Sequence, residues 1–129
     1  MKFIRYIFYF EIALNILSGF QTLFMPAAFM MQFSGQAVSA PAVEMARWYG
    51  VLICVITWLL FRALRVRGLA LKLTLEAYLL GDVIHIAVSF VSASVLGWTG
   101  AIVAGVVVSV LLGAARILCL WKPVETGIA

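Results

Sequence analysis

The hydrophobic and polar positions of the chain divide it into four long apolar segments separated by short breaks. The segments cover about residues 3–25, 43–61, 69–92 and 101–120. Each is close to the ~20 residues that a helix needs to cross the hydrocarbon core of a bilayer. Apolar runs of this length are typical of membrane-spanning helices. The pattern therefore predicts an all-α protein, an integral membrane four-helix bundle that forms one domain over residues 1–129.

The composition of the chain is far more apolar than that of a soluble domain. Hydrophobic residues make up 66% of the sequence and charged residues 11%, whereas soluble domains are about half apolar and about a quarter charged. The net charge of +4 comes from basic residues at the segment ends, without the interleaved aromatic residues of a nucleic-acid groove. We therefore expect a membrane location and no nucleic-acid partner.

The basic residues predict how the helices are oriented. Eight of the nine lie at the N-terminus, between the second and third segments, at the start of the third, or near the C-terminus: Lys2, Arg5, Arg62, Arg65, Arg67, Lys72, Arg116 and Lys122. Because Lys and Arg are enriched in cytoplasmic loops, both termini are expected on the cytoplasmic side of a plasma or endoplasmic reticulum membrane. A cleaved signal peptide is the alternative for the first segment, but Glu11 and Asn15 interrupt its apolar run.

The outer connection, residues 26–42, is unusually apolar for a loop. It contains Phe29, Met30, Met31 and Phe33, and it is too short to cross the bilayer. We expect it to lie in the membrane interface or to fold back over the bundle. It would then serve as an anchor, or as a lid over a cavity that lipids can reach.

Two of the predicted spans carry polar stripes at helical spacing. The first stripe consists of Glu11, Asn15, Ser18 and Thr22, and the second of Tyr78, Asp82, His85 and Ser89. Polar residues three and four positions apart share one helix face, and charges inside a bilayer are costly unless they are partnered. Both stripes are therefore expected to face the interior of the bundle.

The predicted catalytic residues are Glu11, Asp82 and His85. Counting along each helix places them at comparable depths, and Asp82 and His85, three residues apart, can touch. A carboxyl group removed from water holds its proton more tightly, so Glu11 or Asp82 can act as a general acid. His85 would be the base or would orient Asp82. The alternative is a purely structural hydrogen-bond clamp between helices.

The predicted substrate-binding residues surround this centre. They are Asn15, Glu44, Arg47, Trp48 and Tyr78. Glu44 and Arg47 lie three residues apart and would bind a polar head of the substrate, or would form a structural pair at the helix end. Glu76 follows Lys72 by four residues, which predicts an ion pair at the inner surface.

Small residues recur every four positions in the fourth segment. They are Ala101, Gly105, Ser109 and Gly113. Such a stripe lets helix backbones approach closely. It is expected to close the bundle or, alternatively, to dock a second copy as a homo-oligomer.

The residue types present do not favour a metal or an organic cofactor. One histidine without a cysteine cluster does not suit zinc, and a mixed site of Glu11, Asp82 and His85 matches known iron sites only in part. Cys54 and Cys119 fall in different segments at different depths, so we expect two free thiols rather than a disulfide.

The run Arg47-Trp48-Tyr49-Gly50 at the start of the second helix, together with the length and the four spans, resembles the DoxX-like group of small membrane proteins. The resemblance covers most of the chain and implies a four-helix bundle, without implying a particular activity.

The polar centre predicts a membrane enzyme that acts on a lipophilic substrate by general acid–base catalysis. The reaction would be an isomerisation, a cyclisation or an epoxide opening. The alternatives are a proton-coupled or ligand-binding transporter, since the same groups suit a polar pocket in a membrane, and a non-catalytic membrane partner subunit.

Overall fold

Five α-helices account for nearly all of the chain that the structure, a computed structural model, describes. It describes the backbone of residues 2–121 and the side chains from Arg5 to Trp121; Lys122 and the side chain of Lys2 lie outside this part. The helices are α1 (Lys2–Phe24), α2 (Pro26–Ser34), α3 (Ala40–Val66), α4 (Gly68–Leu96) and α5 (Gly100–Trp121). α1, α3, α4 and α5 are each long and apolar enough to cross a membrane. The predicted all-helical class and its four long apolar helices are confirmed.

The turn between α3 and α4 is shorter than the sequence suggested. α3 continues through Arg62 and Arg65, so these residues belong to its last turns and not to a loop. Arg67 alone connects the two helices. Its φ of 64° and the φ of 58° at Gly68 place two successive residues in the left-handed region, which reverses the chain abruptly. α3 and α4 are therefore joined by a one-residue turn and run antiparallel.

The four long helices form an antiparallel ring. The most extensive contacts join α1 to α3 and α4 to α5, and the ring is completed by contacts of α3 with α4 and of α1 with α5. Its apolar core lies at the end of the bundle that contains the α3–α4 turn. This core consists of Phe8, Ile12, Leu60, Ala63, Leu64, Leu71, Leu75 and Cys119.

Large apolar side chains also cover the outside of the ring. Leu80, Val95 and Trp121 are more than half exposed, as are many others on every long helix. An apolar surface of this extent is an aggregation hazard in water. It is the surface expected of helices that pack against lipid.

α2 lies across the opposite end of the bundle, where it contacts α1, α3 and α5. Pro26 begins the helix at a position where its missing N–H is not needed, and Gly35, at φ 66°, ends it in the left-handed conformation. α2 therefore folds back over this end of the bundle, and the placement of residues 26–42 in the membrane interface stays a prediction.

The close approach of α1 and α3 depends on Gly50. A Cβ atom at this position would lie 2.6 Å from Thr22 Oγ1 and 3.0 Å from Leu23 Cγ. Thr22 has little freedom to move, because its hydroxyl is buried and donates to the carbonyl of Ser18 at 2.7 Å. The pair therefore packs with backbone against side chain at this point.

Replacing Gly50 with alanine is expected to lower the free energy of unfolding by about 1–3 kcal/mol, the usual effect of overpacking. Thermal unfolding in detergent measures this loss. Gly81→Ala is the matched control, since a Cβ there meets no atom within 4 Å and alanine favours a helix. Equal stability of the two variants would mean that α1 and α3 do not pack as described.

Candidate functional site

A buried ion-pair cluster, the triad of Glu11, Asp82 and Arg116, links three helices. The guanidinium of Arg116 on α5 donates through Nη2 to Glu11 Oε1 on α1 and through Nη1 to Asp82 Oδ2 on α4. The side chain of Arg116 is 0% exposed, that of Glu11 5% and that of Asp82 12%. Burying an ion costs several kcal/mol unless partners offset it. The two carboxylates are what make a buried arginine tolerable here.

Tyr78 connects the triad to α3. Its ring centroid lies 5.1 Å from Arg116 Cζ, within the range of cation–π attraction. Its hydroxyl donates to the backbone carbonyl of Ile56 on α3 at 2.5 Å. All four long helices therefore meet, directly or through Tyr78, at the guanidinium of Arg116.

Two polar atoms of the triad have no hydrogen-bond partner among the described residues. They are Glu11 Oε2 and Arg116 Nε, and both are buried. Glu11 is thus anchored through one carboxylate oxygen, while the other accepts no hydrogen bond from these residues. A carboxyl group held in this way is oriented and still has an oxygen that can give or take a proton.

His85 has a different partner from the one its spacing suggested. Its Nδ1 lies 2.7 Å from Ser109 Oγ on α5, whereas Asp82 is held by Arg116. The hydroxyl of Ser109 lies on the facing helix within reach of the imidazole, and the guanidinium is the stronger, charged partner for Asp82. The predicted contact between Asp82 and His85 is replaced by these two contacts across the α4–α5 interface.

The small-residue stripe of α5 is the face that receives α4. A Cβ on Gly105 would lie 3.2 Å from His85 Cε1, and one on Gly113 would lie 3.6 Å from Asp82 Oδ2. Ser109, between them, is buried. The prediction that the stripe faces protein is confirmed for Gly105, Ser109 and Gly113. Their small size is what brings Arg116 and Ser109 to the polar face of α4.

Arg116 does not lie at the surface with the other basic residues near the segment ends. The charge pattern groups it with the cations that predict the orientation of the helices, but its side chain is entirely buried and paired. A signal of this was available, because Gly105, Ser109, Gly113 and Arg116 are spaced four, four and three residues apart. Arg116 therefore continues the stripe that was predicted to face protein.

The polar residues at the N-terminal end of α3 lie apart from the triad. Arg47 Nη1 donates to Glu44 Oε1, as their spacing predicted, but the side chains are 48% and 59% exposed. Trp48 is also exposed. Asn15 is half-buried one turn along α1 from Glu11. Of the predicted substrate-binding residues, only Tyr78 is shown in contact with the triad.

Lys72 and Glu76 form an exposed ion pair on α4. Lys72 Nζ lies 3.9 Å from Glu76 Oε1, which confirms the ion pair that their spacing predicts. Over residues 2–121, no three His, Cys, Asp or Glu side chains are grouped as ligands for a metal. Glu11 and Asp82 are each held by the guanidinium of Arg116.

Comparison with known proteins assigns no family. No protein-family model, curated protein or solved structure matches the chain. The resemblance to the DoxX-like group stays a prediction. Function is therefore inferred from the triad and from the helices that carry it.

Proposed function

We propose that the chain is a multi-pass membrane protein in which α1, α3, α4 and α5 cross the bilayer and both termini are cytoplasmic. The apolar outer surface of the ring supports insertion. Apart from Arg47 and the buried Arg116, every Lys and Arg lies at the start of α1, around the α3–α4 turn or after α5. This distribution follows the positive-inside rule even when Arg116 is not counted. It suits a plasma or an endoplasmic reticulum membrane.

Thiol labelling of intact cells tests this orientation. In a chain with Cys54 and Cys119 replaced by serine, a membrane-impermeant maleimide is expected to label Gln36→Cys, which is exposed beyond α2. It is expected to leave Arg65→Cys unlabelled until the membrane is permeabilised. Labelling of Arg65→Cys but not of Gln36→Cys in intact cells would reverse the proposed orientation.

The function that this geometry supports best is that of a cofactor-free membrane enzyme that moves a proton on a lipophilic substrate. The observation that carries this proposal is the hydrogen bonding of Glu11. Its Oε1 accepts from Arg116, while its buried Oε2 has no hydrogen-bond partner among the described residues. Isomerisation, cyclisation and epoxide opening are the reaction types that need such a positioned carboxyl group.

The charges of the triad support proton exchange. The single positive charge of Arg116 balances one carboxylate, so the triad is neutral when the other carboxyl group carries a proton. In a low-dielectric interior a neutral cluster is favoured over one with a net charge. Glu11 would exchange the proton with the substrate, Asp82 would keep Arg116 paired, and Arg116 would position both. His85, one turn along α4 and paired with Ser109, is a second group that can relay protons.

A second candidate is proton-coupled transport. It is favoured because the triad joins residues from three helices, α1, α4 and α5. Protonation of Glu11 or Asp82 removes one of the two charge pairs that tie α1 and α4 to α5. Proton uptake would then change how these helices pack, and intramembrane carboxyl groups serve as proton relays in pumps and transporters.

Isotope labelling from water tests the enzymatic proposal without knowledge of the substrate. The purified protein, in lipid nanodiscs, is incubated in D2O or H2¹⁸O with a lipid extract of the cells that produce it. We expect lipophilic compounds to gain deuterium at carbon, or ¹⁸O after epoxide opening, as detected by mass spectrometry. Labelling no greater than with empty nanodiscs would contradict catalysis. Uptake of a compound that requires sealed vesicles and a proton gradient would favour transport.

A further inference from the structure

A groove on the outer surface of the α1–α3 pair is separate from the triad. Its volume is about 350 Å³, and its lining residues are Ile12, Ile16, Cys54, Thr57, Trp58 and Phe61. The hydroxyl of Thr57 donates to the carbonyl of Ile53 at 2.6 Å, so the groove presents an almost wholly apolar wall. Its volume lies at the lower end of the ~300–1,000 Å³ typical of small-molecule sites.

Two arginines lie over the aromatic residues that line this groove. Arg62 Cζ lies 6.0 Å from the ring centroid of Trp58, and Arg65 Cζ lies 4.7 Å from that of Phe61. Both arginines are exposed on the last turns of α3. Neither forms an ion pair with a carboxylate among the side chains from Arg5 to Trp121. An apolar groove thus ends at two cations that pair with no carboxylate in the part of the chain whose side chains are described.

We propose that this groove binds an acyl chain of an anionic phospholipid whose phosphate is held by Arg62 and Arg65. The groove and its two arginines match such a lipid in charge and in length. Guanidinium groups bind phosphate oxygens through paired N–H donors. α3 rises ~12 Å from Arg62 back to Cys54. With the headgroup at the arginines, the part of the acyl chain next to the headgroup would therefore lie in the groove.

The lipid would come from the cytoplasmic leaflet. This part of the inference rests on the orientation proposed above, which places the α3–α4 turn on the cytoplasmic side, where anionic lipids are concentrated. The groove contains no residue of the triad, so the lipid acts as a bound structural ligand beside α1 and α3 and is not the substrate of the acid–base centre.

Quenching of Trp58 fluorescence by brominated lipids tests the proposal. In a chain that keeps Trp58 and carries phenylalanine in place of Trp48, Trp98 and Trp121, the protein is reconstituted in phosphatidylcholine vesicles. A fixed fraction of the lipid is brominated phosphatidylglycerol or brominated phosphatidylcholine. We expect Trp58 to show a preference for the anionic lipid on the order of tenfold, since each basic residue near a membrane surface adds attraction for anionic lipid.

Three variants separate the groove from general attraction of anions to a basic surface. Arg62→Gln combined with Arg65→Gln is expected to abolish the preference for phosphatidylglycerol while quenching by phosphatidylcholine persists. Ile16→Phe, which fills the groove, is expected to abolish it with both arginines present. Lys72→Gln, a cation near the same end of the bundle but on α4, is expected to retain it.

The outcomes distinguish this inference from the proposed membrane placement. Equal quenching by the two lipids in the parent chain would overturn the anionic lipid site while leaving the membrane placement intact. A preference that survives Ile16→Phe would overturn the groove as its location. No quenching by either lipid would contradict the membrane placement of α3, and with it the lipid site.

Discussion

Replacing Arg116 with methionine is expected to cost about 3–5 kcal/mol of unfolding free energy, the usual range when one partner of a buried charge pair is removed. Methionine can fill the space but cannot donate to Glu11 or Asp82, which would face each other without a cation between them. Thermal or chemical unfolding in detergent, followed by circular dichroism, measures the loss.

Two further variants show whether the cost comes from the triad. Lys72→Met is the matched control, because it also removes the cation of an ion pair, but an exposed one, and exposed pairs contribute ~1 kcal/mol or less. Adding Glu11→Gln and Asp82→Asn to the Arg116→Met chain is expected to recover much of the lost stability, since no charge is then buried. If the neutral triple variant is as unstable as Arg116→Met alone, the three residues are not energetically coupled.

Neutralising Glu11 is expected to reduce catalytic turnover by about 10²–10⁴-fold, the usual contribution of a general acid or base. The variant Glu11→Gln keeps the shape of the side chain but cannot exchange a proton. It leaves Arg116 paired with Asp82, so the triad stays balanced in charge and the chain is expected to fold. The rate of isotope incorporation from water and the midpoint of thermal unfolding are measured on the same preparation.

Asp82→Asn and Glu76→Gln give this experiment its controls. Asp82→Asn is the converse change, since it leaves Arg116 paired with Glu11. It is expected to abolish turnover, because Glu11 must then stay ionised to balance the charge of Arg116 and cannot serve as the acid. Glu76→Gln alters an exposed carboxylate on α4 and is expected to change neither quantity. Normal turnover in Glu11→Gln and Asp82→Asn together with lower thermal stability would identify the triad as a structural clamp.

The four long helices could be predicted from sequence because an apolar run of about twenty residues has few other stable forms. Their ends were less well defined. The charge pattern predicts a loop at Arg62 and Arg65, which occupy the last turns of α3. An arginine at a helix end can extend to water as easily as one in a loop, so the pattern does not separate the two cases. The sequence predicts α2 only as an apolar connection, since its nine residues, Pro26–Ser34, carry little periodic signal.

The triad could be predicted only in part. Glu11 and Asp82 stood out because carboxylates in the middle of apolar segments require partners. Arg116 did not, because it lies five residues from the end of α5, where a long side chain can reach the membrane surface. Its inward direction is set by packing of the α5 stripe on α4. The partner of His85 was likewise decided by Ser109 on the facing helix, whereas Glu44 and Arg47 pair within one helix, as local spacing alone dictates.

The central claim, that Arg116 pairs with Glu11 inside a lipid bilayer, is tested most directly by solid-state NMR. A chain labelled with ¹⁵N in the arginine guanidinium groups and ¹³C in the glutamate carboxyl groups is reconstituted in bilayers. Glu44→Gln removes the exposed pair with Arg47 that would give the same signal. We predict dipolar dephasing of one glutamate carboxyl resonance by arginine nitrogen, lost in Arg116→Met and in Glu11→Gln. Absence of dephasing, or dephasing that survives both substitutions, would contradict the buried triad.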